Sequence, residues 1–257
     1  MNPVVFKLGG EALTNLPALS EFLTQVKNIQ VDRQVVIVHG GGPQVETMMA
    51  AANLNSVKVD GLRATPNEHL PFVVGALAGV ASQQLLSACK VANLNALALS
   101  LADADLFTAK VTNAKLGNVG QVEANQSHAL QTLLDAGYVV ILNSIGCSDS
   151  GQTLNINADD AAVAVAKLLN ADLCLLSNVP GVLNADKQLL PNLTQQDIES
   201  YISQGVIRDG MAVKVNAALQ AAQCLRRPVN IGSWQDSIAL SEFNQSEHIS
   251  LGTQILA

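Results

Sequence analysis

Short apolar runs, rich in β-branched residues and bounded by glycine, asparagine or aspartate, recur along the chain. Runs of this kind predict strands that are buried on both faces of a sheet. Six stand out, at residues 4–6, 35–38, 96–101, 138–142, 173–176 and 229–231. The pattern therefore predicts a sheet with a packed interior on each side.

Helical stretches lie between these runs, and several have recognisable first turns. Thr65 is followed by Pro66 and Glu68, which predicts a capping box at the start of a helix. Asn157 precedes two acidic residues, which the positive end of a helix dipole favours. A third helix is predicted over residues 211–225.

Strands and helices alternate, which predicts an α/β fold: a three-layer α/β/α sandwich around a mostly parallel central sheet. In such a sheet, ligands lie beyond the carboxyl ends of the strands. Residues 111–126, rich in Asn and Gly, break the alternation and predict a hairpin or a surface excursion.

The chain has 257 residues, of which 49% are hydrophobic and only 14% are charged. Ordinary soluble domains carry roughly 25% charged residues, so much of this chain must be interior. The length suits a single α/β domain with two lobes. We place the N-lobe at about residues 1–172 and the C-lobe at about residues 173–257.

The net charge of −7 argues against a nucleic-acid partner, because proteins that bind nucleic acids concentrate Lys and Arg on one face.

Residues 70–89 are uncharged and long enough to cross a bilayer, but Pro71 and the polar Ser82, Gln83 and Gln84 favour a buried helix. The chain shows no secretory signal. Its scattered cysteines and histidines match no metal-ligand spacing. We expect a cytoplasmic protein with reduced thiols, no membrane contact and no metal site of its own.

Two glycine-rich turns directly follow predicted strands, one at Gly9 and Gly10 and one at Gly40, Gly41 and Gly42. Without Cβ atoms, successive backbone N–H groups can close around an anion, and a helix that begins there adds partial positive charge. Either turn could be only a tight strand-to-helix connection, but two in one α/β chain favour a phosphate site. Neither turn is a Walker loop. Neither is a G-x-G-x-x-G turn, and its absence disfavours a nicotinamide-dependent oxidoreductase.

Four charged residues lie where a charge is costly to bury or could bind an anionic ligand. Lys7 ends an apolar strand, where an ammonium group is costly to bury unless an anion meets it. Lys214 lies in an almost wholly apolar helix, and Asp159 lies in the first turn of another. Arg63 could take a carboxylate with both arms of its guanidinium group. Ordinary roles are also open: a lysine that reaches solvent, an acid that offsets a helix dipole, or a solvated loop arginine.

Five segments of the chain occur in the order and spacing of a known family: residues 5–10, 38–43, 61–66, 155–159 and 210–214. In these segments the chain resembles the acetylglutamate kinases of the amino-acid kinase superfamily, and the resemblance spans essentially the whole length. The Lys-Gly-Gly start is shared by carbamate, aspartate, glutamate and uridylate kinases. Gly-Leu-Arg-x-Thr-Pro and Asn-x-Asn-Ala-Asp are much more specific.

The resemblance implies the amino-acid kinase fold and ATP-dependent phosphorylation of the γ-carboxylate of N-acetyl-L-glutamate, an early step of arginine biosynthesis. It implies that Lys7 and Lys214 neutralise charge on the transferring phosphoryl group, while Asp159 holds both ammonium groups in position. The backbone N–H groups that would meet the phosphate belong to Gly9, Gly10 and Gly41.

The resemblance also implies two binding regions. The acyl amino acid would lie in the N-lobe, with its α-carboxylate on Arg63 and its amide on Asn155, beside Gly41 and Gly42. Mg²⁺ would arrive on the ATP phosphates. ATP would lie over the C-lobe, against Asn178, Val179, Pro180, Gly181, Val182, Leu183, Val206, Ile207 and Arg208.

Two positions differ from the family pattern, and the short stretch before Lys7 bears on regulation and oligomeric state. Asn178 stands where many relatives have aspartate, and Ala102, Asp103 and Ala104 stand where close relatives have Gly-Asp-Gly, so we assign that loop no role. Only six residues precede Lys7, and in this the chain resembles the arginine-insensitive, homodimeric members of the family.

Two other functions remain open from the sequence. One is another carboxylate or carbamate kinase of the superfamily, such as an acetylaminoadipate kinase, because one methylene group changes binding by only about 1 to 3 kcal/mol. The other is a sensor with this fold that binds a metabolite without turnover. The presence of both lysines and Asp159 argues against the sensor.

Overall fold

Two sheets and a short hairpin form the framework of the chain in a computed structural model, which describes residues 2–59, 62–243 and 251–257. The large sheet contains β1 Val4–Leu8, β2 Val35–His39, β5 Ala96–Ser100, β8 Val139–Asn143, β11 Asp172–Ser177, β12 Asn192–Leu193, β13 Val229–Ser233 and β14 Thr253–Ile255. The small sheet contains β6 Phe107–Val111, β7 Val119–Ala124, β9 Ile145–Cys147 and β10 Thr153–Ile156, and the hairpin contains β3 Lys58–Val59 and β4 Leu62–Arg63.

The large sheet has the order β12-β14-β13-β11-β1-β2-β8-β5. Its neighbouring strands are parallel except β13 and β14. The predicted mostly parallel sheet is therefore confirmed, and all six predicted strands belong to it. Residues 111–126 contain the last residue of β6, the 3₁₀ helix Ala114–Leu116 and all of β7, which pairs antiparallel with β6, so the hairpin alternative is the one observed.

Helices cover both faces of the large sheet. They are α1 Leu16–Ile29, α2 Gly42–Ala51, α3 Leu70–Val74, α4 Ser82–Val91, α5 His128–Asp135, α6 Ala158–Leu169, α7 Gln195–Ser203, α8 Asp209–Leu225 and α9 Ser237–Glu242. A π-helical segment, Gly75–Ala81, joins α3 to α4. Short 3₁₀ helices occupy Gly10–Thr14, Asp103–Asp105 and Ala114–Leu116.

Alternate residues of the central strands supply two separate cores. In β1, Val5 packs into the core under α5, α6, α7 and α8, whereas Val4 and Phe6 pack into the core under α1, α4 and α9. This alternation follows from the two-residue period of a strand. It explains why central strands carry uninterrupted apolar runs, and it confirms the three-layer α/β/α prediction.

Two details of the prediction are wrong. Strand β5 lies at the edge of the sheet and its residues are only partly buried, because no strand covers its outer side in the described chain. Thr65 does not cap a helix: α3 begins at Leu70, and the Thr65 hydroxyl accepts a hydrogen bond from Asn155 Nδ2 at 3.1 Å. The same hydroxyl donates to the Arg63 carbonyl oxygen at 3.0 Å, so both of its hydrogen bonds lie outside the predicted helix.

The continuous helix Leu70–Val91 is long and apolar enough to cross a membrane by length and composition, and 39% of its most apolar window is buried. Core helices of soluble proteins pass the same test. Here Leu77 packs with α2, while Leu85 and Cys89 are buried in the core shared with α1.

Candidate active site

The two glycine turns meet at the carboxyl edge of the sheet, because β1 and β2 are adjacent and parallel. A Cβ atom on Gly10 would lie 2.7 Å from the Gly41 Cα atom, a distance that carbon atoms do not tolerate. Likewise, a Cβ atom on Gly41 would lie 2.7 Å from a methyl group of Leu77. Glycine is therefore required at position 10 for the two turns to pack together, whereas a side chain on Gly41 would have to displace Leu77.

The second turn leads directly into α2, for which Gly41 is the N-cap residue and Pro43 lies in the first turn. Its amino end therefore presents free backbone N–H groups, as anion sites require. Buried His39 supports the turn: its Nδ1 lies 2.8 Å from the Gly40 carbonyl oxygen. Burial lowers the pKa of His39, against the opposing effect of that hydrogen bond, so its imidazole is neutral.

Lys7 and Asp159 form an ion pair beside these turns, with Lys7 Nζ 2.9 Å from Asp159 Oδ1. Lys7 comes from the end of β1. Asp159 lies in the first turn of α6, where the Asn157 side chain accepts hydrogen bonds from the backbone N–H groups of Asp159 and Asp160. The predicted helix start at Asn157 is confirmed, and the Asn157 side chain caps the turn that carries Asp159.

Lys214 of α8 lines the same cavity, whose volume is about 460 Å³. Burial lowers the pKa of Lys214, and the neighbouring Lys7 ammonium lowers it further. Asp159 and Glu11 oppose this effect through their negative charges. The cavity thus holds two ammonium groups whose repulsion is offset by carboxylates, an arrangement that favours an anionic ligand. Gly9, Gly10 and Asn178 also line it.

A smaller cavity of about 160 Å³ gathers all four predicted acyl amino-acid residues: Gly41, Gly42, Arg63 and Asn155. Its apolar wall includes Val73 and Leu77. Gly42 and Lys58 line both cavities, so the two adjoin. Gly61, in the same motif as Arg63, lies outside the described residues.

Arg63 already has an acidic partner. Its Nη2 lies 2.8 Å from Glu46 Oε1, and its Nη1 donates to the Ser56 hydroxyl. Burial disfavours the Glu46 carboxylate, but the hydrogen bond and charge of Arg63 outweigh it and lower the pKa of Glu46. Arg63 is therefore paired with an acid before any ligand is present.

The residues predicted to bind ATP fall into two groups. Asn178 lines the larger cavity, whereas the side chains of Val182 and Ile207 are buried in the core under α8. Those two residues can offer a nucleotide only their backbone. Residues 179–183 and 206–208 do not line the cavity.

Sequence reasoning missed several residues that line the larger cavity: Glu11, Glu46, Lys58 and Trp234. Glu11 directly follows the first glycine turn, and Trp234 directly follows β13. The rule that ligands lie beyond the carboxyl ends of parallel strands could have found both. Glu46 and Lys58 gave no local signal, because only the packing of α2 beside the hairpin brings them together.

Paired glycine turns, an ion-paired lysine and a second lysine at the carboxyl edge of a parallel sheet define an enzyme of phosphoryl transfer. The amino acid kinase family matches residues 2–233. Acetylglutamate kinases from Photorhabdus laumondii and Pectobacterium atrosepticum are 43% and 44% identical to this chain, and all of each chain is covered. The chain belongs to the amino acid kinase family and, within it, to the acetylglutamate kinases.

Solved structures agree with this assignment. A protein from Streptococcus mutans is 31% identical, with a TM-score of 0.80 over 99% of this chain and 98% of that one. Carbamate kinase from Giardia lamblia is 20% identical, with a TM-score of 0.67 over 99% of this chain and 98% of that one, which shows the fold alone. The predicted fold class and the predicted activity, ATP-dependent phosphoryl transfer to a carboxyl group, are confirmed.

Proposed function

We propose that the chain transfers the γ-phosphoryl group of ATP to the γ-carboxylate of N-acetyl-L-glutamate, giving N-acetyl-L-glutamyl 5-phosphate and ADP. The larger cavity receives the ATP phosphates and the smaller one receives the acyl amino acid. The observation that carries this proposal is the Lys7–Asp159 ion pair, which shares its cavity with Lys214 next to the cavity of Arg63.

The smaller cavity suits an acylated amino acid by its chemistry. Arg63 takes the α-carboxylate, since a guanidinium group binds a carboxylate in a bidentate manner. Asn155 meets the amide, and Gly41 and Gly42 let the backbone approach closely. Val73 and Leu77 offer apolar surface to the acetyl methyl group.

The acceptor needs no general base, because a carboxylate is already ionised at neutral pH. A carboxylate oxygen forms a bond to the γ-phosphorus while the bond from that phosphorus to the leaving ADP oxygen breaks. Catalysis then consists of positioning and of neutralising charge on the phosphoryl oxygens. Lys7 and Lys214 supply the positive charge, Asp159 fixes Lys7, and backbone N–H groups of Gly9, Gly10 and Gly41 meet the phosphate.

The cavity suits a metal ion that arrives with the nucleotide. Among the described residues, no group of three or more His, Cys, Asp or Glu side chains could hold a metal. Mg²⁺ typically keeps several waters and binds substrate phosphates rather than a dedicated cage of protein side chains. When bound, Mg²⁺ would be held by the ATP phosphates beside Lys7 and Lys214 and would supply further positive charge there.

The remaining assignments belong to the same proposal. ATP lies over the C-lobe, from Asn178 to Leu183 and from Val206 to Arg208, while the N-lobe holds the acceptor. Both lobes share the central sheet, since β1 pairs with β11. The enzyme works in the cytoplasm.

We also propose a homodimer that uses the helix Leu70–Val91 and the edge strand β5. Val80 and Val91 of that helix are 40% and 76% exposed, next to Leu16 at 62%. A second copy would cover these side chains. Light scattering on the purified enzyme tests this, and Val80→Asp with Val91→Asp should give monomers.

An acceptor panel tests the reaction. The enzyme is incubated with ATP and Mg²⁺ and with acetylglutamate, acetylaminoadipate, glutamate, aspartate or carbamate, and acyl phosphate is trapped with hydroxylamine. We expect trapped product with acetylglutamate at the highest kcat/KM. A higher value for acetylaminoadipate would reassign the acceptor, and the absence of product from every carboxylate would support the sensor.

Substitution of Lys214 tests the assigned chemistry. Removing one preorganised donor to a developing anion costs roughly 10²- to 10³-fold in kcat. We therefore expect Lys214→Ala and Lys7→Ala to lower kcat by about that factor with little change in the KM for acetylglutamate. A Lys214→Ala enzyme with near-normal turnover would contradict the role.

A further inference from the structure

Glu11 and Trp234 have no part in the proposed function, yet they line the larger cavity together with Asn178. The three residues follow the carboxyl ends of three adjacent parallel strands, β1, β11 and β13. Their side chains form one chain of hydrogen bonds along that edge. Trp234 Nε1 donates to Asn178 Oδ1 at 2.9 Å, and Asn178 Nδ2 donates to Glu11 Oε2.

The direction of this chain follows from the chemistry of its ends. An indole N–H can only donate, so the Asn178 oxygen must face Trp234 and its amino group must face the other way. Trp234 is only 2% exposed, so the anchoring end does not move freely. The amino group of Asn178 therefore requires an acceptor, and the Glu11 carboxylate provides it.

The amide at position 178 matters because of this geometry. An aspartate there could accept from Trp234, but it would have no hydrogen to donate to Glu11. Its second oxygen would instead lie against the Glu11 carboxylate, and two like charges would repel. Asn178 and Glu11 are thus chemically matched.

Glu11 acts on Lys214 through charge. The charged groups around Lys214 come from several elements: Lys7 from β1, Asp159 from α6 and Glu11 from the 3₁₀ turn after β1, with Glu46 and Lys58 lining the same cavity. Burial and Lys7 disfavour the Lys214 ammonium, while Asp159 and Glu11 favour it. Asp159, which is paired with Lys7 at 2.9 Å, is the stronger of the two favourable charges, and Glu11 is the second.

We propose that Glu11 is a second acidic positioning residue for Lys214, and that Asn178 and Trp234 hold the Glu11 carboxylate where it does this. The proposal rests on the role proposed above for Lys214. It gives the Asn178 side chain a task other than contacting the nucleotide. Both the oxygen and the amino group of its amide already have partners within the protein.

The first test is the pH dependence of kcat in Glu11→Gln. Lys214 must be protonated to neutralise phosphoryl charge, so kcat should fall as pH rises through the pKa of Lys214. Removing the Glu11 charge lowers that pKa further. We therefore expect the alkaline limb of the pH profile of kcat to move to lower pH. On that limb, kcat of Glu11→Gln should be lower than that of the unmodified enzyme by up to about fivefold, as expected for a charge pair that solvent still reaches. The KM for acetylglutamate should stay unchanged.

The second test separates the hydrogen-bond chain from general damage. Asn178→Asp alone places two carboxylates together, and we expect a lower Tm and weaker binding of a non-hydrolysable ATP analogue with Mg²⁺ by calorimetry. In the double variant Glu11→Gln with Asn178→Asp, the glutamine donates to the aspartate and the aspartate accepts from Trp234. Both Tm and nucleotide affinity should recover most of the loss. Glu21→Gln, an exposed carboxylate of α1 outside these cavities, is the matched control and should resemble the unmodified enzyme.

The outcomes are distinguishable from a failure of the proposed function. Near-normal turnover in Lys214→Ala would overturn the role of Lys214 itself. If Lys214→Ala is inactive but the alkaline limb of Glu11→Gln matches that of Glu21→Gln, only the role of Glu11 is overturned. A double variant that shows the sum of the two single effects, with no recovery, would refute the matched pair.

Discussion

The Arg63–Glu46 ion pair makes a specific prediction about substrate affinity. The pair occupies the guanidinium group to which we assign the α-carboxylate of the acceptor. An incoming carboxylate must therefore displace Glu46 or share Arg63 with it. Replacing Glu46 by glutamine removes the competing charge and keeps the shape, so the variant should bind acetylglutamate more tightly.

The size of the effect follows from exposure. The Arg63 side chain is 9% exposed, but that of Glu46 is 51% exposed, so solvent screens the pair substantially. Such a pair is worth up to about 1 kcal/mol. That value corresponds to about a fivefold lower Kd for acetylglutamate in Glu46→Gln.

Calorimetry without nucleotide measures this Kd directly and does not depend on turnover. Arg63→Gln in the same titration should abolish detectable binding, and Glu21→Gln should leave it unchanged. Weaker binding by Glu46→Gln would refute the reasoning, because it would mean that Glu46 holds Arg63 in place for the substrate rather than competing with it.

Three further predictions concern the framework. Gly10→Ala forces a Cβ atom to within 2.7 Å of Gly41 Cα, and we expect it to destabilise the fold by about 1 to 3 kcal/mol and to lower kcat; an unchanged urea midpoint would contradict this. Phe6→Ala removes a fully buried ring that lies 5.7 Å from Phe22 and 5.6 Å from Phe243, centroid to centroid; the expected loss is about 3 to 5 kcal/mol in urea unfolding. Burial raises the pKa of the Cys89 thiol to about 12 and also raises the pKa of Cys174, whereas Cys224 is exposed. A thiol reagent should therefore label Cys224 first, half-buried Cys147 more slowly, and Cys89 and Cys174 only after unfolding; Cys224→Ser should remove the fastest phase.

Features that depend on local pattern were predictable from the sequence. The central strands had to be apolar on both faces, because helices cover both sides of the sheet, and this gave a continuous signal. The helix start at Asn157 was recognisable because the acidic residues of the first turn lie within the next few positions. The glycine turns were recognisable because each follows its strand directly.

The prediction failed where a local pattern was overruled by a distant partner. Thr65 had the neighbours of a capping residue, but its hydroxyl accepts a hydrogen bond from Asn155 of β10 instead. Strand β5 had the composition of a central strand, but its place at the sheet edge leaves it partly exposed. Glu46 had no feature that marked it as the partner of Arg63.

The sequence alone determined that two glycine turns follow parallel strands and that Lys7 ends the first of them, because such signals lie within a few residues of one another. Only the tertiary structure decided which side chains share a cavity with those turns. Lys214, Asp159 and Trp234 come from separate helices and strands, and the order of strands in the sheet brings them to one edge. The partners of Lys7, Arg63 and Asn178 were settled by that packing, since an ion pair or hydrogen bond depends on distance in space rather than on separation along the chain.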